Sequence, residues 1–283
     1  MAGDELNPLV QIGDIVCNSG VPDDAGVMWL CEEVEGWGSP GSTLEVAQRS
    51  GDHGGWDGDA YLRPRVMTVK GLMSAPTAAA ARDAMSRLYR AVPLGLSPLT
   101  VTEAGLARTC MVRRQDDVLA NAISTCDVEW SAQVVARDPR KYTAEVSAST
   151  GLPLTSGGLT WPVTWPMTWD ATVASGRLSV TNAGDFPTRP RLRIAGPCQG
   201  PRVTFVGNGL ALAWDLTLAA GQWLDVDTDK HTSLLNGQVS RSTLMLSRGW
   251  FEIAGQAQAE IAFTADAYDP AALLTVTYRS AWQ

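Results

Sequence analysis

The sequence has few charged residues and no long apolar run. Charged residues make up 18% of the 283 positions and hydrophobic residues 45%, which is typical of a globular protein with fewer charges than usual. No stretch of eighteen apolar residues occurs, so no transmembrane helix is predicted. The N-terminal MAGDELNPLVQIGD has no basic region followed by an apolar segment, and it does not resemble a signal peptide.

Cysteine is sparse and shows no metal-binding or redox spacing. The count of five is odd, and no CxxC pair is present. We therefore expect reduced, partly buried thiols in a protein made in a cytosol. The cysteines are Cys17, Cys31, Cys110, Cys126 and Cys198.

Catalytic signatures are also missing. The two histidines, His53 and His231, have no GxSxG elbow or other nucleophile signature nearby. Neither a GxxxxGK[ST] phosphate loop nor a GxGxxG turn after a strand occurs. The sequence therefore predicts no enzyme activity, no catalytic residue and no cofactor.

Two acidic clusters deserve a comparison with calcium sites, because carboxylate oxygens bind Ca²⁺. Their spacing is not that of an EF-hand loop, and aspartate is also common in turns. We therefore predict solvated turns and no metal. The clusters are Asp52, His53, Asp57 and Asp59 in one loop, and Asp225, Asp227 and Asp229 further on.

The net charge of −8 lies mostly in the first half of the chain. Residues 1–150 hold 13 basic and 20 acidic residues, and residues 151–283 hold 9 and 10. This balance argues against a surface that grips nucleic acid, which needs clustered Lys and Arg. The acid could instead keep the protein soluble, or let DNA pass without sticking by like-charge repulsion.

Residues 1–150 predict short strands and one helix. The helix is expected over about 76–92, with Thr77 as the N-cap and Pro93 after its end. Its apolar stripe is expected to pack on a sheet. One long strand is predicted over 121–136. The apolar stripe consists of Ala81, Met85, Leu88 and Val92.

Residues 151–170 contain the stretch TWPVTWPMTW and predict a linking strap. Two prolines exclude a helix. In an extended chain Trp161, Trp165 and Trp169 share one apolar face, while both prolines remove backbone donors from one edge. We therefore expect a strap between two domains, held down by burial of its three tryptophans.

Residues 171–283 show turn signals every eight to twelve positions, which predicts a β-sandwich. One predicted strand covers 241–246. Asn236 and Gly237 predict a hairpin turn, because a type I′ turn needs positive φ at both central positions.

The segment Asp138-Pro139-Arg140 has two possible roles. Proline ends a strand, aspartate favours a turn and arginine can pair with a carboxylate. The segment is either a structural corner or a contact between subunits.

Four segments in this order resemble the distal tail protein family of long-tailed, siphovirus-type bacteriophages. They are LRPRVMTVKGLM, VEWSAQVVARDPRKY, the strap GGLTWPVTWPMTW, and a sandwich that begins with NAGDFPTRPRLRIAGP and ends with LTVTYRSAW. The resemblance extends over nearly the whole chain. It implies a mainly β protein with an N-terminal β-sandwich or barrel-like domain and a C-terminal galectin-like β-sandwich.

In function, the resemblance implies a structural baseplate hub, a minor tail protein at the distal end of the virion tail, assembled in the host cytoplasm. The N-terminal domains would form a ring, usually a homohexamer, whose lumen lets DNA pass without specific binding. The implied partners are other copies of the chain, the tail tube protein, the tail-associated tip protein with the end of the tape measure, and receptor-binding or adsorption proteins. No membrane insertion is implied.

A carbohydrate-binding β-sandwich is the alternative, because seven of the eleven tryptophans lie in 151–283. Three of these are in the strap, where their shared face favours packing. A third possibility, a secreted hydrolase, is disfavoured by the missing site motifs.

Overall fold

A computed structural model of the protein describes residues 8–154 and 175–283. The chain divides into two compact units between Thr143 and Ala144, and Gln283 groups with the first unit. Both units are mainly β, and the described residues contain one α-helix, as predicted. No helix in these two ranges is long and apolar enough to cross a membrane.

From residue 8 onwards, the first unit contains twelve strands and helix α1 (Ala78–Ala91). The strands are β1 (Leu9–Ile12), β2 (Ile15–Cys17), β3 (Met28–Glu35), β4 (Ser42–Thr43), β5 (Val46–Gln48), β6 (Gly55–Asp57), β7 (Tyr61–Leu62), β8 (Arg65–Ser74), β9 (Ser97–Glu103), β10 (Leu106–Ala122), β11 (Asp127–Ala136) and β12 (Lys141–Tyr142).

The main sheet of this unit follows the path β2-β1-β9-β10-β11-β8-β3, and β12 pairs with β10 off this path. The sheet curls until its two outer strands meet at Asn18, just after β2. The Asn18 backbone donates to Trp29 O at 3.0 Å, and its side chain bonds both the N–H and the carbonyl of Cys31. The predicted barrel-like form is confirmed.

Helix α1 begins as the sequence predicts. The Thr77 hydroxyl accepts a hydrogen bond from the Ala80 N–H at 3.2 Å, which satisfies one free donor of the first turn. Ala81 and Leu88 of the predicted stripe are buried in the core, together with Val92 just beyond the helix, and Met85 is partly buried against it. This apolar stripe fixes the helix on the sheet.

The core of the first unit contains two buried tryptophans from neighbouring parts of the sheet. Trp29 and Trp130 pack edge to face, with ring centroids 6.3 Å apart and an interplanar angle of 74°. Edge-to-face pairs contribute about 0.5–1.5 kcal/mol beyond the area that they bury.

The predicted single strand over 121–136 is wrong. Strand β10 ends at Ala122 and β11 starts at Asp127, with a turn between them. The Ser124 hydroxyl accepts from the backbone N–H groups of Cys126 and Asp127, and it donates to the Asp127 carboxylate at 2.8 Å. These local bonds compete with the strand conformation and reverse the chain.

The described residues of the second unit, 144–154 and 175–282, contain fourteen strands and one 3₁₀ turn (Ser242–Leu244). The strands are β13 (Val146–Gly151), β14 (Arg177–Asn182), β15 (Arg191–Ala195), β16 (Cys198–Gln199), β17 (Arg202–Phe205), β18 (Ala211–Trp214), β19 (Thr217–Leu218), β20 (Trp223–Asp227), β21 (Thr232–Leu235), β22 (Val239–Ser240), β23 (Met245–Arg248), β24 (Ala257–Thr264), β25 (Leu273–Tyr278) and β26 (Ala281–Trp282).

Two sheets build the sandwich of this unit. One has the strand order β13-β25-β15-β20-β21-β22, and the other has the order β14-β24-β17-β18-β23. Alternate residues of most of these strands enter one shared core, as expected from period-two alternation. Leu192, Leu224 and Val276 come from the first sheet, and Leu212 and Ile261 from the second.

Two boundaries in the second half differ from prediction. The predicted first domain includes residues 144–150, but β13 pairs with β25 along its whole length and so joins the sandwich. The predicted strand over 241–246 is wrong, because Leu244 N donates to Arg241 O at 3.0 Å and forms a 3₁₀ turn before β23.

Candidate functional site

The segment Asp138-Pro139-Arg140 forms the corner between β11 and β12. The Asp138 carboxylate accepts the backbone N–H of Arg140 at 3.2 Å and the Tyr142 hydroxyl at 2.6 Å. The Arg140 guanidinium lies 3.7 Å from the same carboxylate. The Asp138 side chain therefore holds Arg140 and Tyr142 in place around the turn. These contacts fit a structural corner, and they do not test whether the segment also contacts another subunit.

Arg65 lies behind this corner and is 1% exposed. Its Nε donates to Pro139 O at 3.0 Å, and its Nη1 donates to Gly36 O and Trp37 O, each at 2.9 Å. Nη1 also contacts the carbonyl of Gly38. Burial lowers the pKa of the Arg65 guanidinium. The buried Arg65 guanidinium therefore binds carbonyl groups from two segments that are far apart in the chain, 36–38 and Pro139.

Lys141 brings a second buried cation to the same loop. Its Nζ donates to Trp37 O at 3.0 Å and lies 5.2 Å from the Trp37 ring centroid. Burial, with repulsion from Arg65, lowers the pKa of Lys141 from 10.5 to about 8. In the part of the chain that the structure describes, neither Lys141 nor Arg65 has a carboxylate within ion-pair distance.

Arg65 is the residue of this corner that sequence reasoning missed. It precedes the corner by 74 residues in the chain, so no local pattern joins the two. A signal was nevertheless present. Alternation along β8 places Arg65 on the same face as the buried Met67 and Val69, and a cation on an apolar face needs partners.

The other predicted site residues lie elsewhere. Trp161, Trp165 and Trp169 fall outside the described residues. Asn236 and Gly237 connect β21 to β22 with φ of 51° and 69°, and Gln238 N donates to Leu235 O at 3.0 Å. Strand pairing resumes at Val239, so the connection has one residue more than a two-residue loop.

The acidic clusters mostly form ion pairs or turns. Asp225 pairs with Arg193, Asp227 with Lys230 and Asp229 with Arg189. Within residues 8–154 and 175–283, no group of three or more His, Cys, Asp and Glu side chains converges on a point that could hold a metal ion. All five cysteines are free, and four are buried.

The second half of β10 has an open edge. Val118–Ala122 pairs with β11 on one side, whereas pairing with β9 on the other side ends at Val112. Leu119 here is 53% exposed, and Ile123 just beyond is 64% exposed. Among the described strands, none covers this edge. Such an edge offers unpaired backbone groups and apolar side chains to another chain.

A curled sheet with one helix, followed by a β-sandwich, is a fold found among hub proteins of phage tails. It is shared with a solved structure of the SPP1 Dit protein, described as a paradigm of the hub adsorption apparatus in phages that infect Gram-positive bacteria. The TM-score is 0.64 at 14% sequence identity, over 90% of this chain and 94% of that one.

Two structures of the phage P2 baseplate in its activated conformation, one with Ca and one with Sr, also match. Each has a TM-score of 0.48 and 12% identity over 90% of this chain and 91% of the other. No protein-family model matches the sequence, and no curated protein matches it.

Proposed function

We propose that this chain is a structural distal tail protein of a long-tailed bacteriophage, without catalytic activity. The observation that carries the proposal is the fold shared with the SPP1 Dit hub protein over 90% of the chain. The four sequence segments that resemble the distal tail protein family support the same assignment. This support is independent of the fold comparison, because it comes from the residues and their order alone.

In this proposal the first unit forms a closed ring of identical copies, which we expect to be a hexamer. A closed ring needs a heterologous interface, in which one patch binds a different patch on the next copy. The open edge of β10 suits such an interface, because strand addition satisfies its backbone groups while Leu119 and Ile123 are covered.

The ring would join the tail tube to the tail tip. We propose that tail tube protein binds one side, and the tip protein with the end of the tape measure binds the other. The galectin-like sandwich would face receptor-binding or adsorption proteins. The balance of 13 basic to 20 acidic residues in 1–150 supports passage of DNA through the lumen without binding. The proposed location is the distal end of the virion tail, after assembly in the host cytoplasm.

We also propose that residues 151–170 act as the strap between the two domains. Support comes from the sequence, in which Trp161, Trp165 and Trp169 share the apolar face of an extended segment. Burial of three large aromatic side chains would limit the movement of the second domain.

Ring formation is tested by native mass spectrometry and negative-stain electron microscopy of the full chain over a range of concentrations. We expect closed rings for the wild type. Leu119→Lys places a charge on the open edge and should shift the population to monomers. Leu246→Lys is the matched control, since Leu246 is 72% exposed in the second unit, and it should leave the rings intact.

Circular dichroism melting checks that both variants remain folded. A wild-type chain that stays monomeric at every concentration and is absent from assembled tails would overturn the proposal. Rings that survive Leu119→Lys unchanged would reject the β10 edge as the interface.

A further inference from the structure

The sequence contains two Asn-Gly steps, Asn208-Gly209 and Asn236-Gly237, and both are exposed in the second unit. At such a step the backbone nitrogen of the glycine can attack the side-chain carbonyl carbon of the asparagine, which loses its amide as ammonia. Glycine favours this attack because it has no Cβ to crowd the nitrogen and restricts its backbone little. The two steps share the same chemistry, so a difference between them must come from the hydrogen bonds of the fold.

The fold occupies the attacking nitrogen at one step and leaves it free at the other. Gly209 N donates to Phe205 O at 2.9 Å. In the part of the chain that the structure describes, the Gly237 N–H has no acceptor, although the N–H groups on either side of it are both bonded. Because the nitrogen must give up its proton as it attacks, a hydrogen bond that holds this N–H slows the reaction. Gly237 N is therefore the freer nucleophile.

The side-chain carbonyl of Asn236 is polarised for the attack. Its Oδ1 accepts the backbone N–H of Trp223 at 3.0 Å, and the Asn236 N–H donates to Trp223 O at 2.8 Å. The Trp223 N–H lies at the oxygen on which negative charge develops during the attack, so it stabilises the transition state. Asn208 has a comparable bond from Leu210 N at 3.0 Å, and this feature therefore does not separate the two steps.

The backbone at Asn236 also suits the cyclic product of the attack. Asn236 has a φ of 51°, whereas Asn208 does not share a positive φ. Closure of a five-membered succinimide ring fixes ψ of residue 236 and is compatible with a type II′ turn, which has positive φ at its first central position. Ring closure therefore needs rotation of the peptide unit between residues 236 and 237, and no hydrogen bond of the Gly237 N–H opposes that rotation.

We propose that Asn236 is a site of spontaneous deamidation in the folded protein. Gly237 N loses its proton and bonds to Asn236 Cγ, and the bond from Cγ to Nδ2 breaks as ammonia leaves with a proton. Water then opens the succinimide at either carbonyl and gives aspartate or isoaspartate at position 236. The sum is one amide and one water converted to one carboxylate and one ammonium ion, so no other reactant is needed. The proposal goes beyond the hub function and does not depend on it.

The product places a new negative charge close to an existing one. A Cβ on Gly237 would lie 3.6 Å from Asp225 Oδ2, and the Asp225 carboxylate is held by Arg193 Nε at 2.7 Å and Trp223 Nε1 at 2.9 Å. A carboxylate at position 236 repels Asp225, and isoaspartate also adds an atom to the backbone of the turn. Both effects act on β22, which has two residues and lies at the edge of its sheet. Deamidation should therefore loosen the β21–β22 hairpin.

The test incubates the full chain at mildly alkaline pH, in native buffer and in parallel in concentrated guanidinium chloride. Peptide mapping by mass spectrometry follows the replacement of NH₂ by OH at each Asn-Gly step. In the native protein Asn236 should deamidate about three to ten times faster than Asn208, since one net hydrogen bond corresponds to roughly that factor in rate. In the denatured chain the two steps should react at similar rates, because the bond between Gly209 and Phe205 is lost.

Hydrogen exchange measures the effect on the hairpin. After native incubation the wild type should exchange amide hydrogens faster over residues 232–240 than before it. Asn236→Gly is the matched control, because it removes the reacting amide and glycine accepts the positive φ of this turn. Its exchange over the same residues should not change during the incubation, and thermal melting checks that it remains folded.

Three results would overturn the proposal. They are deamidation of Asn208 as fast as that of Asn236 in the native protein, the same ratio of rates in the native and the denatured chain, or no reaction of the native protein while both steps react in the denatured chain. Unchanged hydrogen exchange in the deamidated wild type would reject the loosening of the hairpin. None of these results concerns ring formation, so this proposal and the proposed function fail separately.

Discussion

The Nε of Arg65 donates a hydrogen bond to the carbonyl oxygen of Pro139 at 3.0 Å. The bond joins the start of β8 to the corner that follows β11. These two segments lie next to each other, because β8 and β11 are paired and Arg65 lies opposite Ala136. The same guanidinium holds the carbonyls of the loop over 36–38. Arg65 therefore replaces backbone pairing where the sheet ends.

Arg65→Met is expected to destabilise the first unit by about 3 kcal/mol. The variant leaves buried carbonyl groups without their donor, and an unsatisfied buried acceptor costs more than the hydrogen bond contributes. Urea denaturation followed by tryptophan fluorescence measures the effect. Arg113→Met, at an exposed position of β10, should change stability by less than about 0.5 kcal/mol. Equal effects of the two substitutions would contradict this role of Arg65.

The buried Lys141 should give the stability of the folded chain an unusual dependence on pH. Its pKa is about 8 in the folded chain, against 10.5 in the unfolded chain. Between these values the unfolded chain binds more protons, so stability must rise with pH in this interval. The burial penalty is full below pH 8 and is relieved as the pH approaches 10.5.

The measurement compares the wild type with Lys141→Met by urea denaturation from pH 7.5 to 10.5. Because Lys141 also lowers the pKa of the buried Cys110 thiol, both proteins carry Cys110→Ser. Other buried thiols such as Cys17, whose pKa is raised to about 12 by burial, titrate alike in the two proteins and cancel in the difference. The wild type should gain stability relative to the variant as pH rises. A stability difference between the two proteins that stays constant across this pH interval would refute the lowered pKa of Lys141.

Asp23 predicts a loss of stability in acid. Burial alone would raise its pKa, but hydrogen bonds from Trp29, Val27, Arg87 and Ala25 outweigh it, and the pKa is lowered. A carboxyl with a depressed folded pKa stabilises the protein above its unfolded pKa of about 3.9, and this is lost as pH falls through the folded value.

Asp23→Ala should cost about 2–3 kcal/mol at pH 7, because the Arg87 ion pair at 2.7 Å and the Trp29 bond at 2.9 Å are both lost. The cost should shrink below pH 4. Asp24→Ala is the neighbouring control on an exposed side chain and should have little effect. Thermal melting of the wild type and the variants at a series of acidic pH values measures this cost. A cost of Asp23→Ala that did not change with pH would contradict the prediction.

Asn182 is expected to be the most sensitive polar residue of the second unit. It is fully buried, its side-chain amide donates to three carbonyls and its oxygen accepts two backbone N–H groups. Asn182→Ala should cost about 3 kcal/mol or more. The partners are Phe186 O, Ile253 O, Ala254 O, Gly184 N and Ala281 N, at 2.7 to 3.2 Å.

Differential scanning calorimetry can measure this loss. Gln199→Ala, at an exposed position of β16 in the same unit, is the matched control and should leave the thermal transitions near their wild-type temperatures. A similar melting temperature for Asn182→Ala and the wild type would show that the network contributes little.

Features that depend on residues close together in the chain could be predicted from the sequence, and features that depend on distant residues could not. Helix α1 could be predicted because Thr77, the apolar stripe and Pro93 all act within a few residues of one another. The strand boundary after Ala122 was missed because Ser124 and Asp127 form a turn through side-chain bonds that the alternation pattern does not show. Strand β13 was placed in the wrong domain because only its partner β25, more than 120 residues later, decides its sheet.

The sequence by itself determined the β class, the single helix, most strands of the sandwich and the order of segments that resembles a phage tail hub. All of these depend on spacing along the chain, which a one-dimensional pattern contains. The tertiary structure alone decided that Arg65 and Lys141 hydrogen-bond the same loop, and that Arg193, Asp225 and Trp223 contact one another on one face of a sheet. These groups come from residues far apart in the chain, and only the register of paired strands brings them within hydrogen-bond distance.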